Sequence, residues 1–470
     1  MFDQPIPRSW LLVFAVVGAA LLCAPILAVP QAQSPSDNPE EFLREPPKPV
    51  SIRGHFRLVA IGDLLYSHPL AGSPDAELQK VFQVLRSGDA TIGNREGVIF
   101  DLKTFKGHGY GDGLLWGEAA VGKDMKIMGV DMVSVANNHA TDWGGEGLLE
   151  CQRVLDEAGI VHAGGGRDLQ EARGAGILQT PKGRVGLIAT ASTFKPNAGA
   201  DDRFEEVPGR TGISILRTRV IHLVTADQLA MIRQLATGLA SPLQPAPARE
   251  ATEVAFGEQI YRLSDKSGLH YDMDLYDHAG LLKAVREAKQ KADLVVFTIH
   301  AHESPTGMDD DTPTPPDFLI KLFHDAVDAG ADEIIGGGPH SLRGVEIYKG
   351  RPILYGMGLF LLRPEIMAMQ ETVFRKFPDI GIEAEPERSS SPPIWYDGVV
   401  AVTDFDAGRA KLVRLYPIDL ANSTEAGRRG VPHLAEQEKA RRILGTLQKE
   451  SAQFGTKISI EDSVGVILIP

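Results

Sequence analysis

Cysteine is almost missing from this chain. Cys23 and Cys151 are the only two in 470 residues. If the leader that carries Cys23 is removed, Cys151 stands alone and no disulfide can form. A disulfide-stapled fold is thereby excluded, and a chain this long buries enough apolar surface without one. An excess of positive charge is missing too: 48 Lys and Arg face 62 Asp and Glu, for a net charge of -14. A nucleic-acid binder needs a concentrated basic face to neutralise phosphates, and no run of Lys or Arg supplies one. No internal repeat is present.

One long apolar run exists, and it lies at the N-terminus. Arg8 precedes residues 11–29, which are apolar apart from Gly18 and Pro25, with Ala28 and Ala32 near a cleavage point. This pattern is a signal peptide or an N-terminal membrane anchor over residues 1–32. The chain is therefore expected to be exported: membrane-anchored, periplasmic or extracellular. Leu22 ahead of Cys23 departs from the small residue of a lipoprotein signal. Residues 33–54, rich in Pro, Ser and Glu, are expected to be a flexible linker.

From Phe56 onward, apolar β-type runs alternate with helical patterns. The runs cover 56–61, 130–135, 185–191, 294–299, 333–335, 353–355, 399–403 and 412–416. Between them, Leu78, Val81, Phe82 and Leu85 repeat at helical spacing within 74–88, and 146–158, 279–291 and 316–329 behave alike. Such alternation predicts an α/β fold of sheets flanked by helices. We expect one domain over 55–425, interrupted by an insertion at 200–275 that holds SPLQPAPARE and HYDMDLYDH. A second excursion is expected at 363–394, and a C-terminal helix and tail at 426–470.

Five segments share one design, an apolar strand that runs into polar residues where it stops. In open α/β sheets that edge is where ligands bind. LVAIGD ends on Asp63, a metal or phosphate ligand or an ordinary turn residue. IGNREG offers Asn94 and Glu96, with a solvated turn as the plainer alternative. ANNHATDWGGEG carries Asn137, Asn138, His139 and Asp142 directly after a strand. There an amide oxygen suits a hard metal and a neutral imidazole suits proton transfer near pH 7. Asp142 is placed to orient His139, or merely to cap the following helix. VVFTIHAHES puts His300 and His302 on one face of a strand end, with Glu303 adjacent, as a metal pair. GGGPHS presents His340 after glycine amides 336–338 that are able to face an anion, or else a plain glycine turn with an exposed His.

Taken together and in this order, the five segments resemble the CapA family of bacterial capsule synthesis and poly-γ-glutamate biosynthesis, which is related to the calcineurin-like metallophosphatases. The resemblance runs from about residue 56 to 362. It is most specific in ANNHATDWGGEG and in DAGADEIIGGGPHSLRGVEIYKGRPILYGMGLF, and LLECQRVLDEAGIVHAGG follows it as well. It implies a two-sheet sandwich flanked by helices, αββα, with a metal site between strand ends. By that likeness Asp63, Glu96, Asn138, His300 and His340 are ligands of divalent ions (Mn, Zn or Fe), and His139 is the acid near the leaving oxygen. Two such ions about 3.5–4 Å apart clamp the attacking and leaving oxygens of a displacement.

Four departures stand out. Gly338 replaces a family histidine, Ala301 and His302 replace Trp-Gly, Gly356 and Leu359 replace Ser and Asn, and Arg95 replaces a Leu. His302 and His68 are the candidates to supply the missing nitrogen. Two functions from different classes follow. One is a metal-dependent hydrolase or transferase acting on a phosphoester or a γ-glutamyl polymer. The other is a non-catalytic subunit that helps membrane-bound proteins assemble and export an anionic polymer. Arg95, Arg343 and Lys349 are the candidates for a basic groove that would meet such a polymer, or else are solvated surface charges, Lys349 above all.

Overall fold

The structure is a computed structural model that describes residues 38–44, 51–52, 54–110, 114–239, 252–363, 392–421 and 428–470. The N-terminal segment 1–32, the SPLQPAPARE piece and most of the 363–394 excursion lie outside the described residues, as do 33–37, 45–50 and 53 of the expected linker. Among the described residues no helix is long and apolar enough to cross a membrane.

Two mixed sheets form the centre. In the first, His55–Leu65 runs parallel to Ala90–Arg95, which is parallel to Met132–Ser134 and then Val161–Ala163. On its other side the strands are antiparallel: Asp397–Asp406, Arg409–Asp419, Val464–Leu468 and Ser459–Glu461. In the second sheet, Arg351–Leu354, Glu333–Gly337, Leu294–His300 and Gly183–Ala191 are mutually parallel, with Val345–Tyr348 and Gly176–Thr180 antiparallel at the edges.

The residue pattern explains the layering. Leu294 and Val296 pack in one core with Ile61, Leu64, Ile92 and Val133 of the first sheet. Val295, Phe297 and Ile299 alternate with them and pack against Leu281, Leu282, Val285, Phe318, Leu322 and Phe323. Those six come from the helices Leu275–Lys291 and Asp317–Ala329. A strand buried on both faces reads as an unbroken apolar run, which is why 294–299 carries no polar alternation. The helices Ala76–Arg86, Ala120–Met128, Gly144–Ala158 and Gln437–Ala452 bury their apolar residues in the core of the first sheet. The protein is thus an α/β sandwich of two sheets flanked by helices.

Several elements differ from their sequence reading. Ala90–Arg95 is a fully buried strand, although IGNREG also reads as a turn. Its Gly and Asn weaken the β signal, and burial between two neighbours overrides that. Within the expected linker, Pro39–Leu43 forms a short 3-10 helix, and its Phe42 and Leu43 pack on the second core. The described part of 200–275 is a four-stranded sheet of Thr218–Val224, Glu253–Phe256, Gln259–Leu263 and Gly268–Met273, with the helix Ala226–Gly238. Buried Asp277 joins it to the main body by accepting from Arg217 at 2.6 Å and Arg173 at 2.7 Å. The expected tail is an edge hairpin of the first sheet, Ser459–Glu461 with Val464–Leu468.

Glu333 opens its strand fully buried, with Thr403 of the first sheet beside it, and burial pushes its carboxyl from 4.5 up to about 8. The unfolded chain releases this proton above pH 4.5, while the folded one keeps it until about 8. Stability from this group is therefore complete at low pH and falls as pH rises through that window, by on the order of a few kcal/mol. Glu333→Gln should match the wild type in thermal midpoint at pH 4.5 and exceed it at pH 8.5. Equal midpoints at both pH values would refute the assignment.

Candidate metal centre

The parallel strands of both sheets end at one edge, and register decides what meets there. Asp63 is paired with Asn94, and Asn94 with Ser134, so Asp63 and Asn94 share a face. Across the gap, His300 is paired with Gly337 and Ala191. Asn94 spans the two sheets, its Nδ2 lying 2.8 Å from Asp63 Oδ1 and 3.1 Å from His300 Nδ1. Its Oδ1 accepts from Asn137 Nδ2 at 3.2 Å, and Asn137 also donates to the Arg95 carbonyl at 2.9 Å.

The strand stops at His300, and His302 lies in the loop beyond. Their Nε2 atoms are 3.0 Å apart, and Asn138 Nδ2 is 3.4 Å from His302 Nε2. Glu96 Oε1 lies 3.8 Å from His300 Nε2 and 4.0 Å from His139 Nε2. One ligand atom each from Glu96, His300 and His302 falls within 4.8 Å of the others. The ring of His340 stands 5.6 Å from that of His302 and against Trp395 at 4.2 Å. The fold thus brings Asp63, Glu96, Asn138, His139, Asp142, His300, His302 and His340 into one pocket. His68 stays outside it, exposed and paired with Glu118 at 3.1 Å.

Burial gives this pocket its electrostatic character. It pushes the Asp63 carboxyl up to about 6. Burial, then the neighbouring carboxylates Asp63, Asp310 and Asp142, drive Glu96 well above the usual range. Desolvation and the other imidazoles hold His300 well below 6.5, and burial takes His340 down to about 4. Four atoms of this set, Asp63 Oδ2, Glu96 Oε2, Asn138 Oδ1 and His340 Nδ1, are buried without a hydrogen-bond partner. Three are oxygen acceptors and the fourth is an imidazole nitrogen. Stranded acceptors of this kind cost free energy, and coordination to a cation is one way of satisfying them. The residues present therefore fit a metal of N/O preference.

His139 faces the pocket from the side. Its Nδ1 is 2.9 Å from Asp142 Oδ2, which fixes the tautomer and leaves Nε2 toward Glu96. Asp142 does not cap the helix, whose N-cap is Trp143. Fully buried, it instead accepts from the Leu115 N–H at 2.7 Å and from Lys195 Nζ at 2.5 Å. Gly338 has φ +109, and a Cβ there would sit 2.6 Å from the Ala301 nitrogen. Its N–H goes to Asp63, so the glycine amide faces the chain's own carboxylate rather than an external anion.

Sequence reading missed four residues at this edge. Lys195 and the Ser192–Thr193 pair follow the Gly183–Ala191 strand, a sixth segment of the same strand-to-polar design that was available as a signal. Ser192 and Thr193 bind buried Glu303 at 2.9 and 3.0 Å. Asp310 sits in an acidic, proline-rich loop that carries no such signal. The three candidates for a basic groove do not line one. Arg95 is fully buried and donates to the carbonyls of Leu64 and Tyr66, Arg343 is buried on the Glu303 carbonyl, and Lys349 pairs with Asp328 at the surface. Buried guanidiniums here brace loops.

An α/β sandwich with carboxylates, amides and imidazoles gathered where its parallel strands end is the class that fold and site define. The chain belongs to the family described as bacterial capsule synthesis protein PGA_cap, whose model matches residues 57–363. It is 38% identical over 433 residues to the uncharacterized protein y4sH of Sinorhizobium fredii, covering 88% of this chain and 93% of that one. To the capsule biosynthesis protein CapA of Bacillus anthracis it is 24% identical over 291 residues, 61% of this chain and 54% of that protein. Among solved structures it is similar to a phosphatase from Mycoplasma pneumoniae, with 12% identity, a TM-score of 0.35, and coverage of 78% and 95%.

The left-handed conformation at Gly338 makes a direct test. Gly338→Ala should cost about 1–3 kcal/mol of stability through backbone strain, visible as a lowered thermal midpoint, and a wild-type midpoint would mean that the turn relaxes freely.

Proposed function

We propose that this chain is an exported or membrane-tethered protein of anionic exopolymer biosynthesis that binds divalent cations and hydrolyses or transfers a phosphoester or γ-glutamyl bond. The observation that carries the reading is the set of stranded buried acceptors around Glu96, His300 and His302. Asp63, Glu96, Asn138, His300, His302 and His340 would hold the metal (Mn, Zn or Fe). When bound, a divalent cation supplies Lewis-acid polarisation of a phosphoryl or carbonyl oxygen and charge stabilisation.

The protein's own groups do the rest. Asp142 accepts the Nδ1–H of His139, so Nε2 is the atom presented to the pocket. Carrying a proton there, His139 passes it to a leaving oxygen, a contribution of roughly 100- to 10,000-fold in this kind of catalysis. Lys195 neutralises Asp142 and keeps that carboxylate from competing for the cation. The polymer setting is supported by the family's description and by relatives named for capsule and PGA biosynthesis. Membrane-bound synthesis and export proteins are the partners this setting calls for, and the apolar run 11–29 is consistent with delivery to them.

A second reading, a non-catalytic assembly subunit, draws on Gly338, whose backbone admits no side chain where the family resemblance expects an imidazole. One experiment separates the two. The purified full-length chain is assayed for metal content and for turnover of bis(p-nitrophenyl) phosphate with Mn²⁺ or Zn²⁺. His300→Ala and His302→Ala should lose bound metal. His139→Ala should keep the metal while losing at least about 100-fold in kcat. Full metal content in both ligand variants would overturn the ligand set, and bound metal without any wild-type turnover would select the assembly role.

A further inference from the structure

The loop that follows His302 is built with more care than a surface connection requires. Glu303–Ser304 pairs with Gly307–Met308, and the Asp309 N–H returns to the His302 carbonyl at 3.1 Å. The Asp309 side chain accepts from the Asp311 N–H at 2.8 Å and from the Thr312 hydroxyl. Trp395 Nε1 donates to Asp311 Oδ1 at 2.9 Å, while the same indole leans on His340. At the base, the His302 N–H donates to Thr193 Oγ1 at 2.9 Å. All of this holds one side chain in place, that of Asp310. Its Oδ1 hydrogen-bonds His302 Nδ1, and its Oδ2 lies 3.4 Å from His340 Nδ1.

We infer that Asp310 is the positioning carboxylate for His302: it fixes that ring with Nδ1 protonated and the Nε2 lone pair facing His300. The inference rests on the metal-binding reading above and deepens it. A histidine that donates its outer N–H to a carboxylate is locked in ring angle and tautomer, and its inner nitrogen becomes more basic. His302 needs such support, because it lies beyond the end of the strand that carries His300 and no ladder hydrogen bond orients it. Asp310 does not itself belong to the tight triad of Glu96, His300 and His302. Its effect passes through His302.

The test measures affinity rather than turnover. Purified full-length wild type, Asp310→Ala and Asp310→Asn are titrated with Zn²⁺ and, separately, Mn²⁺ against a chromophoric chelator, and the metal-free thermal midpoint of each is recorded. Removing such a partner weakens metal binding by roughly 10- to 100-fold, and that loss is expected for Asp310→Ala. Asp310→Asn keeps an acceptor oxygen for Nδ1–H but loses the charge, so it should fall between wild type and Asp310→Ala. A purely structural role would lower the metal-free midpoint and treat the two variants alike. If either variant binds as tightly as the wild type, the inference is overturned, and Asp310→Asn carries the test alone should Asp310→Ala not fold. A wild type that binds neither metal sinks the metal-binding reading itself, an outcome distinct from tight binding that is indifferent to Asp310.

Discussion

The Asn94 side chain holds the open edge of the sandwich together. Its amide touches Asp63 on its own sheet and His300 on the other, at 2.8 and 3.1 Å. Apolar packing between the sheets is non-directional and tolerates sliding, whereas a buried amide with partners on both sides does not. The bridge needs Ala90–Arg95 in register with His55–Leu65, and it needs the His300 strand to end at the same height. Once those conditions are met, Glu96, Asn138 and His302 have little freedom in where they lie.

The pocket is a buried concentration of acceptors, and Lys195 at its edge pairs with Asp142. Burial alone would make Asp63 and Glu96 hold protons and His300 and His340 shed them, and the shifts run in those directions. Elsewhere in the protein several buried charges are paired directly, Asp277 with Arg173 and Arg217 and Lys289 with Asp332, whereas Glu333 is buried without an ionic partner. Four atoms without hydrogen-bond partners on Asp63, Glu96, Asn138 and His340, beside the triad of Glu96, His300 and His302, are what a cation-binding reading draws on.

The positions read at strand ends were legible because a strand buried on both faces leaves an apolar run that stops abruptly. Asp63 lies near the end of one such strand, His300 closes another, and His139 sits in the turn that follows a third. The Asn94 strand was harder to see, since Gly93 and Asn94 are poor strand formers and only neighbours on both sides make them extend. Asp310 and Lys195 were illegible for a different reason. Lys195 reaches Asp142 from 53 residues away, and Asp310 turns back on His302 from an irregular loop that has no periodicity to read. Arg95 and Arg343 show the reverse failure. A charged side chain suggests solvent and substrate, yet both sit inside and hold backbone carbonyls.

By itself the sequence determined the α/β class, the lack of a disulfide framework, and which strand ends carry metal-type side chains, since periodicity, cysteine count and residue type are local properties. Only the tertiary structure decided which of those side chains meet, and that His302 and not His68 stands beside His300. Those outcomes depend on strand register and on the packing of two sheets, and contacts made across hundreds of residues leave no periodic mark on the chain.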